Sequence, residues 1–226
     1  MTPIKIGGES YSIPTSWNDI TYLKFCEIIT FEQKEDNHIL SVISGIPFTT
    51  IKNIDSESLI LLENLLNFTK DFDTLNEFSF VTIDVVIGKQ SWEKLEMAKQ
   101  AIAKNVNYIA SAGDVIKIYC GRLIYDEPIT KVWGDVQYIL KELNSFFERY
   151  KRLGEYEEDE DEFMANPARF ARFGFMAKCI ELSRSLGQSY DTTLNMSAFE
   201  VYETFLYDFE RNDYEKTLMR IRANKK

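Results

Sequence analysis

The residues that could do chemistry are few and scattered. A single histidine, His38, stands beside apolar Ile39 and Leu40, and the three cysteines, Cys26, Cys120 and Cys179, are widely spaced. Nucleophilic catalysis would pair that imidazole with a thiol or hydroxyl, and no nucleophile elbow or other local signature supports such a pair. An odd number of separated cysteines fits reduced thiols packed as small hydrophobes, and fits neither a disulfide framework nor a zinc site. Phosphate-cradling and dinucleotide-binding glycine patterns are absent. The acidic run at 155–162, EYEEDEDE, lacks the glycine and the oxygen spacing of a calcium loop. It reads as a solvated, self-repelling segment, with docking onto a basic partner surface as the other option. Between 190 and 214 lie Tyr190, Phe199, Tyr202, Phe205, Tyr207, Phe209 and Tyr214. Their helical spacing among acids predicts a helix core rather than a stacking platform for single-stranded nucleic acid. These residues predict no catalytic, cofactor-binding or metal-ligating site and a protein that is not an enzyme.

Charge narrows the partners. The 226-residue chain carries a net charge of −10, against the clustered bases that a nucleic-acid binder needs. Residues 211–226 are the exception, with a local charge of +4 on a body of −14. Such a tail could steer docking to an acidic surface, or simply complement its own helix dipole. Hydrophobic residues make up 45% of the chain, an ordinary globular share, and no apolar run approaches the length of a membrane span. The first residues lack the apolar core of a signal peptide, so a cytosolic protein is expected.

The elements that would position these residues follow from periodicity. Ile4, Ile6, Tyr11 and Ile13 flank Gly7-Gly8 as a tight hairpin closed by Pro14. Ser16 with Asp19, or Thr21, caps a buried helix bearing Ile20, Leu23, Phe25, Ile28 and Ile29. A short helix at 38–44 stops at Gly45 and Pro47, and Asp55 or Ser56 starts another. Residues 77–88, EFSFVTIDVVIG, are the one strongly strand-like run. Helices are expected from Ser91, over 106–125 with Gly113 and Gly121 inside it, and over 130–151, whose stripe includes Val132, Val136, Leu143, Phe146, Phe147 and Tyr150. Residues 170–186 are apolar nearly all round, which predicts a buried helix. Ser197 and Glu200 form a capping box ahead of the stripe Ala198, Val201, Tyr202, Phe205, Leu206 and Phe209. No repeat period is evident. The fold class is α+β and predominantly α-helical. It divides into a hairpin-plus-helix unit at 1–72, a central strand-and-helix unit at 73–152, an acidic linker at 153–165 and a C-terminal helical unit at 166–226.

Two stretches carry a resemblance. IPTSWNDITYLKFCEII followed by HILSVISGIPFTTIKNIDSESLILLENLLNF, with its Pro-x-x-Trp and Ile-Thr step, resembles virion and tail-assembly proteins of bacteriophages, especially those of Bacteroides-type hosts. FGFMAKCIELSRSLGQSYDTTLNMSAFEVYETFLYDFERNDYEKTLMRI is similar to the end of phage tail assembly chaperones. The resemblance implies protein–protein binding without catalysis, in the host cytoplasm during assembly. The partners would be phage structural proteins, with no small-molecule substrate, no cofactor and no membrane, and self-association is allowed. The alternative is a permanent virion component such as a connector, ring or packaged cargo subunit. The expected partner-binding groove lies between 130–150 and 170–209. Its candidate anchors, and those of the tryptophan-bearing helix starts, are Trp17, Trp133, Phe147, Tyr150, Phe205 and Phe209.

Overall fold

The computed structural model describes residues 1–30, 36–105, 107–154 and 173–223, with Asp36 by its backbone alone. Most of the acidic linker, including 155–162, lies outside the described residues. Apart from one antiparallel hairpin the described chain is helical, as an α+β protein dominated by helices should be. Strands β1 (Thr2–Ile6) and β2 (Glu9–Ile13) pair Ile4 with Tyr11 and Ile6 with Glu9. Gly7 and Gly8 both adopt positive φ, 59° and 87°, as the tight turn between right-twisted strands requires.

The helices are α1 (Tyr22–Thr30), α2 (Asp36–Ser44), α3 (Phe48–Lys52), α4 (Ser56–Leu65), α5 (Trp92–Lys104), α6 (Tyr108–Cys120), α7 (Ile129–Arg149), α8 (Gly174–Leu186), α9 (Tyr190–Asn195) and α10 (Ala198–Ala223). They gather into two compact units, one from 1–85 and 100–141, the other from 86–99 and 142–226. Compactness thus divides the chain differently from the consecutive stretches that composition suggested, because each unit draws on two separated segments.

In the first unit Trp17 opens a 3₁₀ turn (Trp17–Asp19) and is only 4% exposed. Its indole N–H donates to the Asp71 carbonyl at 3.2 Å and the Thr74 hydroxyl at 3.1 Å, while its ring packs edge-on against Phe25 and Phe68. Ser16 makes no side-chain cap. Thr21 caps α1 instead, accepting from the Lys24 N–H at 3.3 Å. The starts of α1 and α7 then satisfy each other. The first N–H of α1, on Tyr22, donates to the Glu127 carbonyl at 2.9 Å, and the first N–H of α7, on Ile129, donates to the Ile20 carbonyl at 2.8 Å. Thr21 and Pro128 form an isolated antiparallel bridge between them. Helix N-termini leave their first N–H groups without intrahelical partners, and this reciprocal clamp provides two.

The second unit repeats the device. A 3₁₀ turn (Ile87–Lys89) precedes α5, Trp92 N–H donates to the Met196 carbonyl and Ala198 N–H to the Gln90 carbonyl, both at 2.8 Å, around a Ser91–Ser197 bridge. The correspondence extends to side chains. In the first clamp Thr130, second residue of α7, bonds Asn18 at 2.6 Å; in the second Phe199, second residue of α10, covers Gly88 so closely that a Cβ there would overlap its ring. The aromatic that starts each earlier helix packs on a helix that lies upstream of the later one. Tyr22 bonds Ile109 and Gly113 of α6, and Trp92 packs on Phe175 of α8 at 4.7 Å. Both α6 and α8 stop at a left-handed glycine, Gly121 and Gly187. A structural repeat therefore exists although no repeat period is evident in the sequence.

Several expectations need correction. Residues 77–88 form no strand: a 3₁₀ turn (Asp73–Phe78) is followed by irregular backbone without a ladder partner. Its β-branched residues favour extension, but α7 takes the place of a neighbouring strand. The buried Asp135 carboxylate accepts from Thr82 N–H at 2.5 Å, the Thr82 hydroxyl at 2.6 Å and Ile83 N–H at 3.3 Å. Gly134 lets the Phe80 carbonyl lie against the helix, and Tyr138 donates to the Val85 carbonyl at 3.1 Å. Gly121 ends α6 rather than sitting inside it, whereas Gly113 does permit close approach, by the Tyr22 ring. Helix α8 is not buried all round: Cys179, Leu182 and Ser183 face inward, while Met176 and Leu186 are exposed.

Candidate binding cleft

The second unit contains a cleft of about 790 Å³. Helix α5 contributes Trp92, Glu96 and Lys99, which one helical face carries at successive turns. The end of α7 and the 3₁₀ turn after it (Lys151–Gly154) contribute Phe147, Tyr150 and Leu153; α8 adds Lys178, Glu181 and Leu182, and α10 adds Tyr202, Phe205 and Asp208. The walls are therefore aromatic and the rim charged.

Trp92 forms the base of one wall. It is 1% exposed, stands edge-on to Phe205 at 5.7 Å, and its buried indole N–H has no hydrogen-bond partner. Lys99 donates to Glu96 at 2.7 Å. Burial works against the Lys99 charge, but that bond and the neighbouring Tyr202 outweigh it and hold the ammonium above its ordinary range. Burial also pushes the Tyr202 phenol up. Tyr150 is raised to about 12, by burial and then by donating to Glu203 at 2.8 Å. Arg149 reaches the same Glu203 oxygen at 2.6 Å and lies over the Tyr150 and Phe199 rings. On the rim Lys151 meets Glu148 at 3.5 Å. Lys178, Glu181 and Asp208 complete the rim with two acids to one base.

Three of the six candidate anchors, Phe147, Tyr150 and Phe205, come together in this cleft. Phe209 does not line it and is covered by the Arg152 guanidinium, 5.9 Å from its ring centre. Trp17 and Trp133 belong to the first unit, where both pack on Phe25; Trp133 is half-buried and its N–H reaches Asn76 at 3.4 Å. Trp92 follows Ser91, where a helix is expected to start, and Tyr202 lies on an expected core stripe, but neither is among the candidate anchors. The signal that could have found the α5 wall is the spacing Trp92, Glu96, Lys99, an aromatic and an ion pair along one face.

The isolated chemical groups have structural surroundings. His38 stacks on Phe48 at 3.9 Å, and its Nδ1 is buried without a partner. Burial pushes the Cys26 thiol up to about 11, and buried Cys179 is likewise raised. Thiols so shifted are protonated at neutral pH and poor nucleophiles. Among the described residues no group of three or more His, Cys, Asp or Glu side chains is arranged to hold a metal ion, and no helix is long and apolar enough to cross a membrane. No protein-family model matches the chain, nor does any curated protein or solved structure.

Proposed function

We propose that this chain is a non-enzymatic phage assembly protein of the tail assembly chaperone type, working in the host cytoplasm during virion assembly. Its partner is a phage structural protein, and no cofactor, small-molecule substrate or membrane is involved. The observation that carries the reading is the cleft. Trp92, Phe147, Tyr150, Tyr202 and Phe205 offer an aromatic trough between helices, the shape that takes the apolar face of an amphipathic helix. The acidic rim favours a segment with flanking bases. The resemblance of the Trp17 region and of the C-terminal stretch to phage assembly proteins points to the same class of partner.

One aromatic anchor buries roughly 150–250 Å², worth about 4–6 kcal/mol before ordering costs. A single cleft of this kind therefore supports reversible capture and release. The test is affinity capture of the tagged chain from phage-infected cells, beside mass spectrometry of finished particles. The reading expects co-capture of a structural protein, loss of capture in Phe147→Asp/Phe205→Asp, and absence from the particles. Presence in particles at fixed stoichiometry would make the chain a virion component instead. Capture of no structural protein, with absence from particles, overturns both.

A further inference from the structure

A second surface, outside the cleft, is left uncovered by the described residues. Helix α10 runs for 26 residues, about 39 Å at the rise of an α-helix. Its first turns pack within the second unit, and Arg152 pairs with Glu210. Beyond that point Tyr214 and Met219 are 65% and 67% exposed, and among the described residues the one further ion pair is the intrahelical Arg211–Glu215 contact at 3.1 Å. A helical extension of this length is marginal in water without packing. Its sequence nevertheless carries a seam. Tyr207, Arg211, Tyr214, Leu218 and Ile221 recur at alternating spacings of four and three, the pattern of a coiled-coil interface, with Arg211 as a polar seam position of the kind that fixes register.

Charge along this helix identifies the occupant. From Asp208 on, the first half of the remaining helix holds Asp208, Glu210, Asp213 and Glu215 beside the single base Arg211, and the second half holds Lys216, Arg220 and Arg222. A parallel neighbour of the same kind would oppose like charges. An antiparallel one sets each acidic half against the other's basic half. We propose that two copies of this chain associate through antiparallel α10 helices, seam to seam. The contact is short, and ion pairs flank it, so the dimer is concentration- and salt-dependent.

Sedimentation velocity on the full chain tests this. The wild type is expected to shift from monomer to dimer with concentration and back with added salt. Leu218→Glu/Ile221→Glu should weaken the dimer at least tenfold while circular-dichroism melting of the two units is unchanged. Lys216→Glu/Arg220→Glu/Arg222→Glu and Asp213→Lys/Glu215→Lys should each weaken self-association, and the two mixed should form a heterodimer. Orientation is read by oxidation in a Cys120→Ser background: Tyr207→Cys mixed with Ile221→Cys cross-links, and Ile221→Cys alone does not. A wild type that stays monomeric at every concentration, a dimer indifferent to Leu218→Glu/Ile221→Glu, or cross-linking of Ile221→Cys alone would overturn the proposal.

Discussion

Replacing Asp135 by alanine tests the account of residues 77–88 most directly. The carboxylate is fully buried and collects Thr82 N–H, the Thr82 hydroxyl, Ile83 N–H and Arg122 Nη1, the last at 2.7 Å. Hydrogen bonds to a charged group contribute about 1.5–3 kcal/mol each, and loss of one partner from a buried ion pair costs about 3–5 kcal/mol. Two discounts apply. Arg122 is 31% exposed and keeps its two bonds to Glu127, at 3.0 and 2.8 Å, so its charge is not stranded. Thr82 is itself exposed, so water can reach its freed N–H. The expected cost of Asp135→Ala is therefore about 3 kcal/mol, toward the lower end of that range. Asp135→Asn keeps the volume but turns a donor toward donors, and should cost about 2 kcal/mol. In a chain of this size about 3 kcal/mol lowers the melting temperature by roughly 6–12 °C. Urea unfolding measures the loss, and hydrogen exchange locates it. Protection of Thr82 and Ile83 should fall while the amides of α8 and α10 in the second unit are unaffected. A loss below about 1 kcal/mol, or unchanged protection at 82–83, would mean that the irregular segment is held by something other than this carboxylate.

Three further outcomes are expected. Gly88→Val should destabilise by about 2–3 kcal/mol through overlap with the Phe199 ring, and Phe199→Ala in the same chain should recover part of that loss, as a double-mutant cycle would show. Trp92→Phe should change stability by less than about 1 kcal/mol, because relief of the unpartnered indole N–H offsets lost packing, whereas Trp92→Ala should cost about 3–5 kcal/mol; urea titration separates them. Ser197→Ala should cost about 1 kcal/mol as a lost cap. Ser197 holds the Glu200 carboxyl below its ordinary value of 4.5, so the stabilisation is present above that value and lost as pH falls through the lower folded one. The gap between wild type and Ser197→Ala should accordingly narrow in acid to the part carried by Glu200 N–H on the Ser197 hydroxyl, and the Glu200 titration followed by NMR should move up in the variant.

What could be read ahead of the structure was local. The Gly7-Gly8 hairpin, the Asp55 cap at 2.8 Å from Ser58 N–H and the Ser197–Glu200 box each depend on a few adjacent residues, whose chemistry suffices to specify them. The inward stripe of α7 was legible for the same reason, since period alone decides which face is buried. Three anchors of the cleft followed from stripes on α7 and α10. Trp92 and Lys99 did not, because their role depends on which helices surround α5. Residues 77–88 were misread because β-branched composition predicts extension, while strand formation also needs a partner. Here that partner is a carboxylate contributed by α7, far along the chain. The uniform apolarity of α8 was overread, since composition cannot say how many of its faces another element covers. The repeated clamp was invisible because it is made of backbone. Between Trp17–Tyr22 and Ile87–Trp92 only a hydroxyl cap, Thr21 or Ser91, and an aromatic start, Tyr22 or Trp92, persist in kind.

That backbone origin gives the clamp a test of its own. The first position of an ordinary helix accepts proline readily, because its N–H has no intrahelical partner and its φ already suits the ring. Pro128 shows the tolerance one residue earlier, at the bridge position where the clamp calls for no N–H donor. Ala198 differs: it is the first residue of α10, and its N–H is spent on the Gln90 carbonyl at 2.8 Å. By generic helix rules Ala198→Pro would be nearly free. By the clamp it removes a donor that joins distant segments and strands a carbonyl, for about 2 kcal/mol. The site is fully buried, so added bulk must be subtracted, and Ala198→Val supplies that control. The expected result in urea is a loss for proline about 2 kcal/mol beyond that for valine, with α5 losing exchange protection at its first turn as well as α10. Equal losses for the two variants would reduce the clamp to a geometric coincidence of two helix starts. A larger loss for proline, felt on α5 through a residue of α10, would make it the joint that closes the second unit.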